Sequence, residues 1–364
     1  MAGADPQSTR RGKYPGPKGG KVIWSVRFPA SIWRRALALG QDGTVYTTAS
    51  CSTKTDRCLY AISPDGTELW SRPLGSAVYG SSTPIVLADG GVLVVADKSA
   101  ILYEFAPDGT LRWSYNTGVG LMTPRIGVGR DGTLYLVGWY PYPLLAIGRD
   151  GGVLWRSTDA SFFRWGLGGW ASMSADDEVV YLMAADTLSP ASLVAFDAHT
   201  GAQLWRAPAS WSSCHPVVDC EGNVYYSRLR EDIGYVLRSV TDQGVLRWEA
   251  DYPVLPGANL ALARDGSLYV RGEKEELLCF DCAGHLKWSA PLPTGLGRYG
   301  GLAVVDGEGT CYLVHARFVS AFDRFGHPIF TCELPGLPSG LSEAAISAQG
   351  RLYVLGEREL YPIE

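Results

Sequence analysis

Short runs in which apolar and polar positions alternate recur along the whole chain, rich in Val, Leu, Ile and Tyr and bounded by glycine turns. A period of two places successive side chains on opposite faces of an extended backbone, so these runs predict β-strands. Two units follow one another. The first is an apolar run, a turn and an alternating strand, as in ALALGQDGTVYT (36–47), PIVLADGGVLVV (84–95), IGVGRDGTLYLV (126–137), PVVDCEGNVYYS (216–227), LALARDGSLYVR (260–271) and AAISAQGRLYVL (344–355). The second ends in Trp: LYAISPDGTELW (59–70), LYEFAPDGTLRW (102–113), LLAIGRDGGVLW (144–155), LVAFDAHTGAQLW (193–205), VLRSVTDQGVLRW (236–248) and LLCFDCAGHLKW (277–288). VSAFDRFGHPIF (319–330) is a weaker copy with Phe330 in the Trp place. Asp-Gly between such runs marks a tight hairpin, because the turn needs a positive φ that glycine adopts cheaply.

Each pair of units is a repeat of four short strands, A to D. Seven repeats carry all four. The C-terminal stretch 341–364 carries A, B and a C strand at Leu360–Ile363 and then stops, while a lone D-like strand, Lys21–Ser25 with Trp24, stands at the other end of the chain. Joining the two closes a ring and leaves no open sheet edge. The prediction is an all-β, eight-bladed propeller over 21–364, with a seven-bladed ring and a ragged extension as the alternative count. Residues 1–20 are basic and Gly/Pro-rich and are expected to form a mobile or wrapping arm.

Ala195, Asp197, Thr200, Gly201 and Trp205 complete the pattern A-x-D-x-x-T-G-x-x-x-W. On that pattern and the pitch of the repeats, the chain resembles the eight-bladed quinoprotein-like (PQQ-like) propeller repeat family. The resemblance covers residues 21–364 and implies the fold. It leaves function open, because the family holds pyrroloquinoline-quinone dehydrogenases, an outer-membrane assembly lipoprotein and binding propellers. Its dehydrogenases use an adjacent Cys-Cys pair over the cofactor; no such dipeptide occurs here, so no cofactor is expected.

Composition adds exclusions. The net charge of −5 argues against a nucleic-acid binder with a basic face. No apolar run is long enough for a membrane span, and residues 1–20 hold no apolar leader core. The chain as written is expected to be a cytoplasmic monomer, secreted or periplasmic only if a leader has been removed.

Strand alternation puts the short A–B and C–D turns on one face and the long B–C and D–A connections on the other. Variable loops on a rigid scaffold are the usual seat of function. The ligand-binding funnel is therefore expected on the B–C/D–A face, from Trp33, Arg34, Tyr79, Arg164, Trp165, Trp211, His215, Asn259, Arg298 and Tyr299. Aromatic rings with guanidinium groups suit a peptide, a protein or an anionic small molecule. The leading expectation is a non-catalytic binding propeller. The alternatives are a propeller lyase, hydrolase or cyclase using His215 with Glu343 or Asp159, and a structural assembly scaffold. No phosphate loop, nucleophile elbow or histidine metal motif is present, and Cys279/Cys282 lack a second pair at zinc-ribbon spacing. Most of the eight cysteines are expected to be free; Cys51 and Cys58 share one loop and would pair in an oxidising compartment.

Overall fold

The computed structural model describes residues 10–29, 37–51, 56–76, 84–96, 101–117, 126–137, 144–157, 171–184, 191–210, 215–293, 301–335 and 343–364. These residues form eight four-stranded antiparallel sheets, one for each predicted repeat. Blades 1 to 7 span residues 37–76, 85–116, 126–156, 172–208, 217–253, 261–291 and 302–333. Blade 8 combines β30 (Glu343–Ile346), β31 (Leu352–Leu355) and β32 (Glu359–Ile363) with β1 (Val26–Arg27) from the other end of the chain. Parallel contact between inner strands, seen at Asn259 and Leu302, joins blades 6 and 7 around the axis.

Closure falls where the repeat count placed it, with its regular pairing slightly later than Lys21–Ser25. Val26 faces Leu360 and Arg27 faces Glu359. Backbone bonds extend the seam both ways, from Lys21 and Glu364, which bond each other at 2.9 and 3.1 Å, to Phe28 N donating to Arg358 O at 2.8 Å. Phe28 is buried, edge-on against Tyr60 of blade 1.

The recurring Trp explains how blades register. In seven blades a β-bulge sits between strands C and D immediately before the anchor, as where Ala195 faces Trp205 but Phe196 faces Gln203. A bulge adds one residue and turns the strand locally, which aims the ring across to the next blade. There the indole N–H donates to a backbone carbonyl in that blade's C–D turn. Trp24, Trp70, Trp155, Trp205, Trp248 and Trp288 do so at 2.6–3.1 Å, whereas Trp113 donates to Glu104 Oε2 of its own blade at 2.8 Å. The ring then lies on the turn glycine. A Cβ on Gly201 would sit 2.5 Å from Trp155, and its φ of +71° also favours glycine. Strand-B tyrosines complete each stack, Tyr46, Tyr135, Tyr181, Tyr225 and Tyr269 lying 5.8–6.1 Å from the Trp of their own blade.

Phe330 breaks this pattern for a structural reason. The blade it docks on has no C–D turn, because the chain ends meet there. Gly20 takes the turn glycine's place, with its Cβ position 2.8 Å from the Phe330 ring.

Candidate functional site

The B–C/D–A end of the channel was expected to carry the funnel. Trp33, Arg34, Tyr79, Asp159, Arg164, Trp165, Trp211, Arg298 and Tyr299 lie outside the described residues. His215, Asn259 and Glu343 lie within them. His215 is half-buried just before strand A of blade 5, Val217–Val218. Asn259 donates its backbone N–H to Gly301 O at 3.3 Å, tying the inner strands of blades 6 and 7. Glu343 opens strand A of blade 8, is 4% exposed, and meets the Arg10 guanidinium at 3.8 Å. The structure thus joins a predicted carboxylate to a cation of the N-terminal arm that the repeat pattern did not single out.

Further charged and polar groups are buried at this end of the strands. Arg271 closes strand B of blade 6 and is 1% exposed; Arg57, near the start of strand C of blade 1, donates to Ser50 Oγ at 2.8 Å. Burial holds both guanidinium pKa values below their ordinary range. His315 ends strand B of blade 7, 3.0 Å from Ser320 Oγ, which lies 3.0 Å from Thr331 Oγ1. Desolvation first, and then the nearby Arg271 charge, push the imidazole down to about 3. His315 is therefore neutral at pH 7 and packs on Phe318. Its sequence signal is an inward position in strand B, the same signal that core residues give.

The A–B end, read from the sequence as the plain face, is chemically furnished. A cleft of about 350 Å³ is lined by the A–B turns of blades 3 to 6 together with Arg11 and Cys282. A second cleft of about 330 Å³ lies against blades 2 and 3 and shares Arg130 with the first. Turn positions send side chains to solvent, so Arg130, Cys220, Glu221, Arg264 and Asp265 are exposed. Asp219 is committed to structure: it accepts from the backbone of Glu221 and Asn223, from Asn223 Nδ2 and from Tyr225 Oη, at 2.7–2.9 Å. The surface left open is of mixed sign, and no histidine lines the first cleft.

Arg11 reaches this cleft because residues 10–20 cross the face. The segment starts beside the inner strand of blade 7, with Gly12 N donating to Val305 O at 2.7 Å and Val305 N to Arg10 O at 3.1 Å. It passes Asp306, Gly307 and Tyr312 and reaches the outer seam at Gly20. Its path is radial, from the channel to the rim.

Cysteine pairing is partly resolved. Cys51 and Cys58 form a disulfide across the B–C connection of blade 1. Cys220, Cys279, Cys282, Cys311 and Cys332 are free, and burial raises the Cys279 and Cys332 thiols to about 11.

The fold and its Trp-on-glycine docking define an eight-bladed propeller of the quinoprotein-like class. The family described as Outer membrane protein assembly factor BamB (PQQ_2) matches residues 16–139 and 106–251, and the chain belongs to that family. No curated protein matches it in sequence. Among solved structures, BamB from Moraxella catarrhalis superposes with a TM-score of 0.68 at 14% identity, covering 95% of this chain and 100% of that one. Quinohemoprotein alcohol dehydrogenase from Comamonas testosteroni gives 0.68 at 14%, covering 100% and 80%. Virginiamycin B lyase from Staphylococcus aureus gives 0.55 at 12%, covering 95% and 99%. At such identities the likeness is one of fold. The sequence has no adjacent Cys pair, and the disulfide among the described residues joins cysteines seven positions apart.

Proposed function

We propose that this chain is a non-catalytic binding propeller whose ligand is a peptide or protein held at the central channel. The observation that carries this reading is the state of the reactive groups at the channel ends. Glu343 is paired with Arg10, His315 is buried and neutral, and Asp219 accepts four hydrogen bonds. A general base needs an open site and a free proton-accepting atom; Glu343 and His315 are buried, and Asp219 spends its oxygens on hydrogen bonds within its own turn and strand. The fold neighbours include an assembly factor, dehydrogenases and lyases, so the fold alone does not choose among them.

The recognition surface in this reading is the B–C/D–A funnel expected from the sequence, with Trp33, Arg34, Tyr79, Arg164, Trp165, Trp211, His215, Asn259, Arg298 and Tyr299 as its candidate contacts. Large aromatic and Arg side chains carry most of the energy of such surfaces. Peptides selected from a random display library on the full chain test this. Arg164→Ala with Arg298→Ala should weaken their binding tenfold or more while leaving the melting temperature unchanged. Peptides indifferent to both changes, or turnover of a small molecule that vanishes with His215→Ala, would overturn the reading.

A further inference from the structure

The N-terminal segment is held in the way a bound peptide is held. Its sequence from Arg10 to Lys18, RRGKYPGPK, contributes one isolated bridge and no strand or helix of its own. Its backbone is held by a surface built by blades 7 and 8. Arg11 pairs in parallel with Val305, so the segment adds to the inner edge of β26 (Leu302–Val305) at the end away from the Asn259–Leu302 bridge. Strand addition of this kind supplies main-chain affinity, and side-chain pockets supply selectivity.

Four contacts follow one another along the segment. Arg10 reaches Glu343, and both side chains are 5% exposed. Asp306 Oδ2 accepts the backbone N–H of Gly16 at 2.8 Å. Tyr312 Oη donates to Pro17 O at 2.9 Å, and a Cβ on Gly16 would lie 2.4 Å from that same oxygen. The Tyr312 side chain is buried and cannot move aside freely. Lys18 meets Glu308 at the exposed end. An acidic groove with an arginine pocket and a glycine-only contact is thus filled by a basic, glycine- and proline-rich segment.

We propose that this seat is a peptide-recognition groove, that the N-terminal segment is its resident occupant, and that an extended segment of a partner protein carrying an Arg and, six positions on, Gly-Pro displaces it. The partner is basic, because the seat meets the segment with Glu343, Asp306 and Glu308. A tethered occupant competes at a high effective concentration, so the groove answers only to a strong or multivalent partner. The inference rests on the binding-propeller reading, but the segment lies across the A–B mouth, opposite the funnel, and only its Arg10 side chain reaches Glu343 at the D–A end of strand A.

The test uses the full-length protein with Gly16→Ala, which keeps every other residue but drives the segment from its seat. The probe is a fluorescein-labelled peptide of residues 8–19, read by anisotropy. It should bind the variant at least tenfold more tightly than the unaltered protein. Arg10→Ala in the peptide, or a further Glu343→Gln in the protein, should each remove most of that binding. A protein starting at Gly20 provides a second receptor, since it retains the Phe330 contact and the closing strand. Random peptides selected on that receptor should be enriched in an Arg followed six positions on by Gly-Pro and be competed off by the arm peptide. Failure of the arm peptide to bind either receptor, binding indifferent to Arg10, or exchange of arms into dimers on sedimentation would each overturn the proposal. Arg164→Ala with Arg298→Ala should leave arm-peptide binding intact, so failure of the groove and failure of the funnel are read separately.

Discussion

Replacing Trp205 and Gly244 by Ala, singly and together, measures the contact that joins blade 4 to blade 5. Trp205 donates to Asp242 O at 2.6 Å, lies against Tyr181, and is partly buried. Trp205→Ala loses that bond, about 1 kcal/mol net, and much of the ring's apolar burial, about 3 kcal/mol in all. Gly244 has φ +78°, and a Cβ there would lie 2.7 Å from Trp205 Cδ2. Gly244→Ala therefore carries about 1 kcal/mol of left-handed backbone strain and about 2 kcal/mol of overpacking against the ring. With the ring gone, only the backbone strain remains. The double variant should then lose about 4 kcal/mol rather than about 6, a coupling of about 2 kcal/mol. Urea unfolding of the four proteins by far-ultraviolet circular dichroism gives the cycle without using Trp emission. Coupling below about 0.5 kcal/mol would refute the argument that ring and turn glycine act as one joint.

The remaining expectations concern protons, thiols and closure. His315 titrates near 3 in the fold and about 6.5 unfolded, so between those values the unfolded chain binds the proton that the fold refuses. Stability should rise with pH through that window, by up to about 1.4 kcal/mol per unit, and level off above it; His315→Gln should flatten the profile, and an unchanged slope would contradict the assignment. Alkylation of the native protein at pH 7.5, mapped by mass spectrometry, should label Cys220 and Cys282 first and spare Cys279 and Cys311 until unfolding, with Cys51 and Cys58 labelled only after reduction. Deleting residues 1–19 should lower the melting temperature slightly, because the hydrogen bonds lost are offset by the chain entropy released. Deleting 1–28 also removes Trp24, Phe28 and the closing strand, exposes β32, and should cause aggregation; equal behaviour of the two truncations would refute closure.

Everything periodic in this protein is legible in its sequence. Strand alternation, hairpin glycines and the Trp of each repeat are local features repeated at nearly constant pitch, so they disclose blade number, strand order and the closing partner of the last blade. The resemblance to quinoprotein-like propellers rests on the same periodic residues. The tertiary structure decided what has no period. The bulge before the anchor ring in seven blades is a register offset between two strands, invisible in either strand alone. Phe330 is a phenylalanine facing a chain junction, and only closure places Gly20 beneath it. Arg10 and Glu343 lie at opposite ends of the chain, and neither residue carries a local mark of the other. Arg11, Arg130 and Arg264 stand in an arm and in ordinary-looking turns, and only the ring brings them round one mouth. Repeats encode contacts between neighbours along the chain; the channel and its occupants depend on contacts around the axis, which sequence separation hides.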